Sequence, residues 1–359
     1  MRRCHRFFRV GVSSALLAAC AGTTTQLAPV APKEVAEEEM AQRRHVLLEI
    51  EKAQRRLDDL GFPLLVSAAP LCEKRSAARL GFSVANVRLY ENRWAEAASS
   101  ALGLSDTLSV RTVAVGSPAA AAGLQPGDLV VGINGDPAPI GKGAVGTATK
   151  LFSPQPTAPL KLTMRRRGEA LEAVLHPVVA CKFEMLVVAE GDINAYADGD
   201  RVIMPWAMMR FANDDELGGV LGHEIAHNAM GHIDARKKNA FLGALFGALL
   251  DVAAATQGTN TGGRNTANFM AAAARAFSQD FEREADYVGM YVLARAGRPL
   301  ETVPLFWRHF AQINPRAISY ASTHPTTAER FVRLRSAAAE IERKRAGGLE
   351  LLPEMKKPN

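Results

Sequence analysis

The chain has 359 residues, 48% of them apolar and 22% charged, which excludes a disordered or fibrous protein and leaves room for two compact domains. Its 43 Lys and Arg against 37 Asp and Glu give a formal charge of +6. Four of those arginines, Arg2, Arg3, Arg6 and Arg9, lie in the first ten residues, and without them 6 less 4 leaves +2, so charge gives no argument for nucleic acid.

The arginines precede the apolar stretch Val10 to Ala19, which is too short to span a bilayer and ends in Leu17-Ala18-Ala19-Cys20. This resembles a bacterial lipoprotein signal (residues 1–19). Cleavage before Cys20 would leave a lipidated cysteine, and Ala21 in place of Asp resembles outer-membrane sorting. The resemblance implies a periplasmic protein held to the membrane by lipid, and an ordinary secretory signal would place it on the same side. Residues 20–60 read as a tether followed from Pro32 by a charged helix, with Met40, Leu47, Ile50, Leu57 and Leu60 at helical spacings. Export fits the cysteine count, because loss of Cys4 and lipidation of Cys20 leave Cys72 and Cys181 either to form a disulfide or to lie as buried thiols.

Between those cysteines the pattern changes. Leu108 to Val115 alternates as a strand, Gly116 opens Gly-Ser-Pro-Ala, Gly123 to Asp128 reads Gly-Leu-Gln-Pro-Gly-Asp, and Leu129 to Ile133 runs into an Asn134-Gly135 hairpin signal. A helix near Ala144 to Phe152 and a strand at Leu160 to Arg165 follow. The order resembles a bacterial PDZ domain, here bounded at 80–178, and the resemblance assigns Leu80, Gly81 and Phe82 to its peptide groove. Arg79 replaces the usual glycine and the stretch from Tyr90 to Leu104 reads as irregular, so peptide binding by strand addition and a purely structural insertion both stay open.

Beyond Cys181 the chemistry concentrates. Asn213 with Glu216 makes a capping-box start, Asp214 and Asp215 suit the positive end of the helix dipole, and Gly231 marks a stop. On that helix Leu217, Val220, Leu221 and Ala226 form an apolar stripe, and residues 223 to 227 read His-Glu-Ile-Ala-His. Histidines four apart share a face and can present two nitrogens to one metal ion, with Glu224 beside them as a base. Phe241 to Leu250 is apolar but well short of a membrane span, and reads as core, as cover over a cleft or as a surface entering lipid. Gln257 to Thr266 reads as a loop. A second helix, from about Ala271 to Ala296, carries Glu282 as candidate third ligand, with Asp286 on the same face to orient a ligand; a solvated acidic face is the plainer reading of that segment alone.

Three blocks, HEIAHNAMGH at 223–232, EREAD at 282–286 and STHPTTAER at 322–330, are together similar to the HtpX and CAAX-prenyl-protease type of zinc metallopeptidase, as is the lead-in from Ile193. The similarity covers about Ile193 to Leu334, with a weaker patch at Gly61 to Cys72. It implies one zinc held by His223, His227 and Glu282, a brace in Asp286, and His324 and Arg330 close to the metal or transition state. It also implies an edge strand after Asn194 and Ala195 that pairs with extended substrate.

The expected fold is α+β: a mostly helical zincin-type peptidase domain with a small sheet, its first segment at 61–79 and the rest at 179–340, interrupted by the PDZ-like domain, with a tail at 341–359. The expected activity is endopeptidase cleavage of unfolded or misassembled envelope proteins or peptides. The alternatives are a PDZ-based binding or chaperone-like lipoprotein whose zinc site is occluded by His324, and a zinc hydrolase of cell-wall peptides.

Overall fold

The computed structural model describes residues 25, 28–152, 158–256, 261–276, 278–313, 315, 324 and 327–355. Cys20 therefore lies outside the described residues, as do most of the tether, residues 257–260 of the expected loop, and 322, 323, 325 and 326 of the third block.

A 36-residue helix, α1 (Pro32–Ser67), opens the chain, and short α2 (Ala69–Cys72) leads into β1 (Ser76–Arg79). An inserted unit follows: β2 (Phe82–Ala85), α3 (Asn92–Leu102), β3 (Leu108–Val113), α4 (Pro118–Ala121), β4 (Leu129–Ile133), β5 (Asp136–Pro137), α5 (Ala144–Leu151), β6 (Leu160–Arg166) and β7 (Glu169–Leu175). The chain returns through β8 (Val178–Cys181), antiparallel to β1 with Ser76 opposite Cys181. The remainder is β9 (Glu184–Val188), β10 (Tyr196–Ala197), β11 (Arg201–Pro205), α6 (Trp206–Phe211), α7 (Asp214–Ala229), α8 (His232–Thr256), α9 (Arg264–Ala276), α10 (Ser278–Arg295), α11 (Thr302–Ile313) and α12 (Ala328–Ala346).

The fold is α+β, with a sheet of order β2-β3-β4-β6-β7, β5 pairing β4, in the insert, and one of order β10-β11-β9 in the helical part. Two main cores match these parts. One runs from Leu80 to Leu175 around Leu108, Leu160, Leu162, Met164 and Leu175, and the other joins α1, α7, α10, α11 and α12 around Leu57, Phe183, Leu221, Tyr291 and Phe306. The Asn134-Gly135 turn has φ of +55° and +94°, the left-handed pair a tight hairpin needs.

Helix α1 belongs to both parts. Leu57, Leu64 and Leu65 are buried in the helical core, Glu51 accepts two 2.7 Å hydrogen bonds from Arg111 of β3, and Asp59 accepts from the Val115 amide at 2.9 Å. Cys72 and Cys181 are joined by a disulfide where the insert leaves and rejoins the chain.

The structure departs from the sequence reading in five places. Tyr90 to Leu104 is not irregular: its alanine-rich centre forms α3, which buries Ala97 and Ala98 in a small core with Leu47 of α1. Helix α1 continues through Gly61 and Pro63 to Ser67, because burial of Phe62, Leu64 and Leu65 carries it past those breakers. The helix bearing Glu282 begins at Ser278, and a separate helix, α9, occupies much of what reads as loop and helix start. Residues 341–355 are not a free tail, since α12 runs to Ala346, Lys344 donates to the Leu352 carbonyl at 2.6 Å, and Leu351 and Leu352 pack on the core. Ala195, expected to bind substrate, is 2% exposed, and the edge strand follows it at Tyr196.

Replacing both Cys72 and Cys181 by alanine is expected to lower stability by about 2–4 kcal/mol, because the bond closes a loop of 109 residues in the unfolded chain. Guanidinium unfolding followed by circular dichroism reads this, and an unchanged midpoint would show that the staple adds nothing.

Candidate metal centre

Helix α7 starts as its residues dictate. The Asn213 side chain accepts from the Asp215 and Glu216 amides at 3.1 and 3.0 Å, and Glu216 accepts from the Asn213 amide at 3.0 Å. Every residue from Glu216 to Asn228 is buried. Such depth requires close neighbours, and glycines supply them. A Cβ on Gly222 would lie 3.1 Å from the Gly289 carbonyl, and one on Gly289 would lie 3.0 Å from the Gly222 carbonyl carbon. Backbone therefore meets backbone where α10 crosses α7, one residue before His223. Asn228 pins the other end of α7 by accepting from the Gly199 amide at 2.8 Å and donating to the Arg201 carbonyl at 3.0 Å, which holds β10 and β11 beside the helix.

Four ligand atoms converge. His223, His227, Glu282 and His324 each offer one, all within 4.8 Å of one another. His223 Nε2 is 3.1 Å from His227 Nε2 and 3.2 Å from His324 Nδ1, and the Glu282 oxygens lie 3.4, 3.3 and 2.9 Å from those three nitrogens in the order given. The edge of a tetrahedron with metal–ligand bonds of about 2.0–2.1 Å is about 3.3–3.4 Å, so the spacings suit one zinc-sized ion. Three imidazoles and one carboxylate also form a donor set suited to zinc.

Each histidine on the metal helix has a partner behind it. His223 Nδ1 is 2.9 Å from Asp286 Oδ1, and Arg330 Nη2 donates to the same oxygen at 2.5 Å. His227 Nδ1 is 2.9 Å from His232 Nδ1, whose Nε2 is 3.0 Å from Glu284 Oε2. If each Nε2 is to offer a lone pair, each Nδ1 must carry the proton. His223 then donates to Asp286, and His227 donates to His232, which donates in turn to Glu284. Every proton in both chains has an acceptor.

The electrostatics favour a cation. Burial pushes the His223 imidazole down, but its hydrogen bonds to Asp286 and Glu282 and their charges outweigh that and raise it to about 9. Burial also dominates at His227, whose pKa falls below the usual histidine value. Burial raises the Glu282 carboxyl, yet the charge of His324 and hydrogen bonds from His223, His227 and His324 carry it well below the carboxylate range. Asp286 is held low against burial by Arg330 and His223. Asp286 is balanced by Arg330, so the ionised Glu282 carboxylate among the histidine nitrogens is the group that favours a cation there.

Glu224 is 2% exposed and directs Oε1 to within 3.7 Å of His324 Nε2, so the candidate base stands beside the ligand cluster. Arg330 lies behind the ligands instead of on the substrate side: its guanidinium sits 3.3 Å over the Trp307 ring and reaches the Nδ1 edge of His223 at 3.5 Å, away from the ligating nitrogen. Sequence reasoning missed His232, Glu284 and Trp307. The signal for His232 was the turn at Gly231, four residues after His227, which sets His232 at the head of α8; Glu284 lies in the EREAD block without a role marked there, and Trp307 has no signal, because its place depends on helix packing.

In the insert, Leu80 is packed into the PDZ-like core and, together with Gly81, Phe82 and Phe152, lines a cavity of about 300 Å³. Asp58 and Phe62 of α1 and Met185 of β9 form its far wall.

Residues 163–338 match peptidase family M48, and residues 109–142 match the PDZ domain. The chain carries an M48 metallopeptidase domain and a PDZ domain. Similar curated proteins include the beta-barrel assembly-enhancing protease of Escherichia coli O157:H7, 29% identical over 181 residues, covering 45% of this chain and 36% of that protein. The mitochondrial metalloendopeptidase OMA1 of Arabidopsis thaliana is 28% identical over 170 residues, covering 46% of this chain and 34% of that one. The metalloprotease YcaL of Escherichia coli K12 is 29% identical over 158 residues, covering 43% of this chain and 61% of YcaL. The matched segment thus spans about a third of the first relatives' length.

The relay behind His227 is testable without catalysis. His232→Ala and Glu284→Gln are each expected to weaken zinc binding about 10–100-fold, as loss of an outer hydrogen-bond partner does. Chelator competition reads it, and unaltered affinity would remove both residues from the metal site.

Proposed function

We propose that this chain is a zinc-dependent endopeptidase of the bacterial cell envelope that cleaves unfolded or misassembled envelope proteins. The observation that carries the reading is the convergence of His223, His227 and Glu282 beside the buried Glu224. The three would hold one zinc, and Asp286 would orient His223. Bound zinc supplies Lewis acidity and lowers the pKa of water at an open position to near 7. Glu224 Oε1 takes the proton of the attacking water and returns it to the leaving amine. Burial of α7 keeps that carboxylate away from competing bulk water. Substrate strands pair with the exposed edge at Tyr196 and Ala197, next to α7, where main-chain hydrogen bonds tolerate many sequences.

His324 modifies this reading. Its Nδ1 stands where an open fourth position would be, which supports a resting form that must release His324 before substrate enters. The same placement favours the second reading, a PDZ-based binding or chaperone-like lipoprotein with an occluded site. The relatives' names, the leader ending at Cys20 and the paired Cys72 and Cys181 support an exported protein that reaches the outer membrane by a lipid anchor. The Gly81 and Phe82 groove would hold peptide segments and raise their concentration near the metal.

Purified wild type, Glu224→Gln and His324→Ala separate the two readings. Glu224→Gln is expected to keep full zinc content and lose cleavage of an unfolded protein by about 10²–10⁴-fold. His324→Ala is expected to cleave faster than wild type. Cleavage that survives Glu224→Gln sinks the peptidase mechanism, and inert wild type and His324→Ala proteins with full zinc favour the binding reading.

A further inference from the structure

The α8–α9 hairpin carries its large apolar side chains outward. Gly243 and Gly247 of α8 are buried, and a Cβ on Gly247 would meet the Asn265 carbonyl at 2.5 Å, so α9 packs against the small-residue side. The opposite side displays Phe241, Leu245, Leu249 and Val252, which are 68, 53, 63 and 63% exposed. Leu242, Phe246 and Leu250 form an adjoining exposed row, extended by Phe269 and Met270 of α9. This overturns core as the reading of Phe241 to Leu250. The exposed area is on the order of 900 Å², above the roughly 300–600 Å² of the largest apolar patch on a typical monomer.

The charge around this face points to its occupant. Arg236, Lys237 and Lys238 are exposed immediately before Phe241. The only acids between His232 and Ala276 are Asp234 and Asp251. Asp234 pairs with Arg75, and Asp251 accepts from the Thr261 hydroxyl at 2.6 Å and the Thr266 hydroxyl at 2.7 Å. Asp251 stays ionised, but Arg236, Lys237, Lys238 and Arg264 outnumber it, so the hairpin carries a net positive charge beside Leu and Phe rows. Those rows hold no polar group to set register with a protein partner. Apolar rows beside a basic run are the pattern of a helix lying in a lipid interface. No described helix is long and apolar enough to cross a membrane.

We propose that the outer face of the α8–α9 hairpin docks in the surface of an anionic lipid bilayer without spanning it. The face begins about nine residues along α8 from His232, so docking sets the metal centre a short distance above the membrane. This contact is separate from any anchor at Cys20 and does not rest on catalysis.

The test uses residues 21–359, which retain every described element but lack the leader and Cys20. The protein is sedimented with vesicles of 3:1 phosphatidylethanolamine to phosphatidylglycerol. Wild type is expected to co-sediment, and Phe241→Asp/Leu245→Asp/Leu249→Asp to lower the partition coefficient at least tenfold while zinc content and cleavage of a soluble unfolded substrate stay unchanged. Arg236→Gln/Lys237→Gln/Lys238→Gln, which leaves the apolar face intact, is expected to lower it several-fold, as is phosphatidylcholine in place of phosphatidylglycerol. Wild type that stays in the supernatant overturns the proposal. So does undiminished binding of either triple variant, and so does a dimer in light scattering that the aspartate substitutions dissolve without vesicle binding, which would make a second copy the occupant.

Discussion

The metal centre depends on the absence of two side chains. Gly222 and Gly289 let the backbones of α7 and α10 touch, and one residue further along α7 His223 meets the carboxylates of α10. A methyl at either glycine would push backbone against backbone by a few tenths of an ångström, which already uses up the roughly 0.2 Å that metal–ligand distances tolerate. Glu282 and Asp286, four residues apart on α10, then arrive together at opposite edges of one imidazole. Packing of apolar neighbours such as Leu221, Leu293 and Val303 holds the contact closed.

Around that contact the polar groups form two ordered chains. The first runs from His223 through Asp286 to Arg330, and the second from His227 through His232 to Glu284. A buried carboxylate such as Asp286 is costly alone, and the Arg330 guanidinium against it, itself stacked on Trp307, compensates. When each Nδ1 carries its proton, these partners hold the His223 and His227 rings with Nε2 toward the candidate ligand cluster. This preorganisation comes from four helices, α7, α8, α10 and α12, so the site is a property of the whole helical core.

Helix α1 connects this core to the PDZ domain. It carries the Glu51 and Asp59 contacts to the insert and the Leu57 to Leu65 contacts to the helical core, while the disulfide ties the end of α2, just before the entry strand, to the end of β8. The cavity lined by Gly81 and Phe82 consequently opens against α1 and β9, beside the sheet of the helical part.

Much was legible in the chain because it depends on neighbours in sequence. The Asn213 cap, the four-residue spacing of His223 and His227, the Asn134-Gly135 turn and the strands of the insert all follow from local backbone geometry. Order and spacing of three motif blocks carried the family resemblance and the candidate ligand Glu282. The extent of α1 past Pro63 and the helix at Asn92–Leu102 were not legible, because burial against partners distant in sequence overrode local breakers and weak patterns. The resemblance already brought His324 and Arg330 near the metal. Only the tertiary structure set Arg330 against the Nδ1 edge of His223 and brought in His232 and Glu284. It also decided that Phe241 to Leu250 faces outward, since a helix apolar on every side has no preferred face until a glycine seam against α9 selects one.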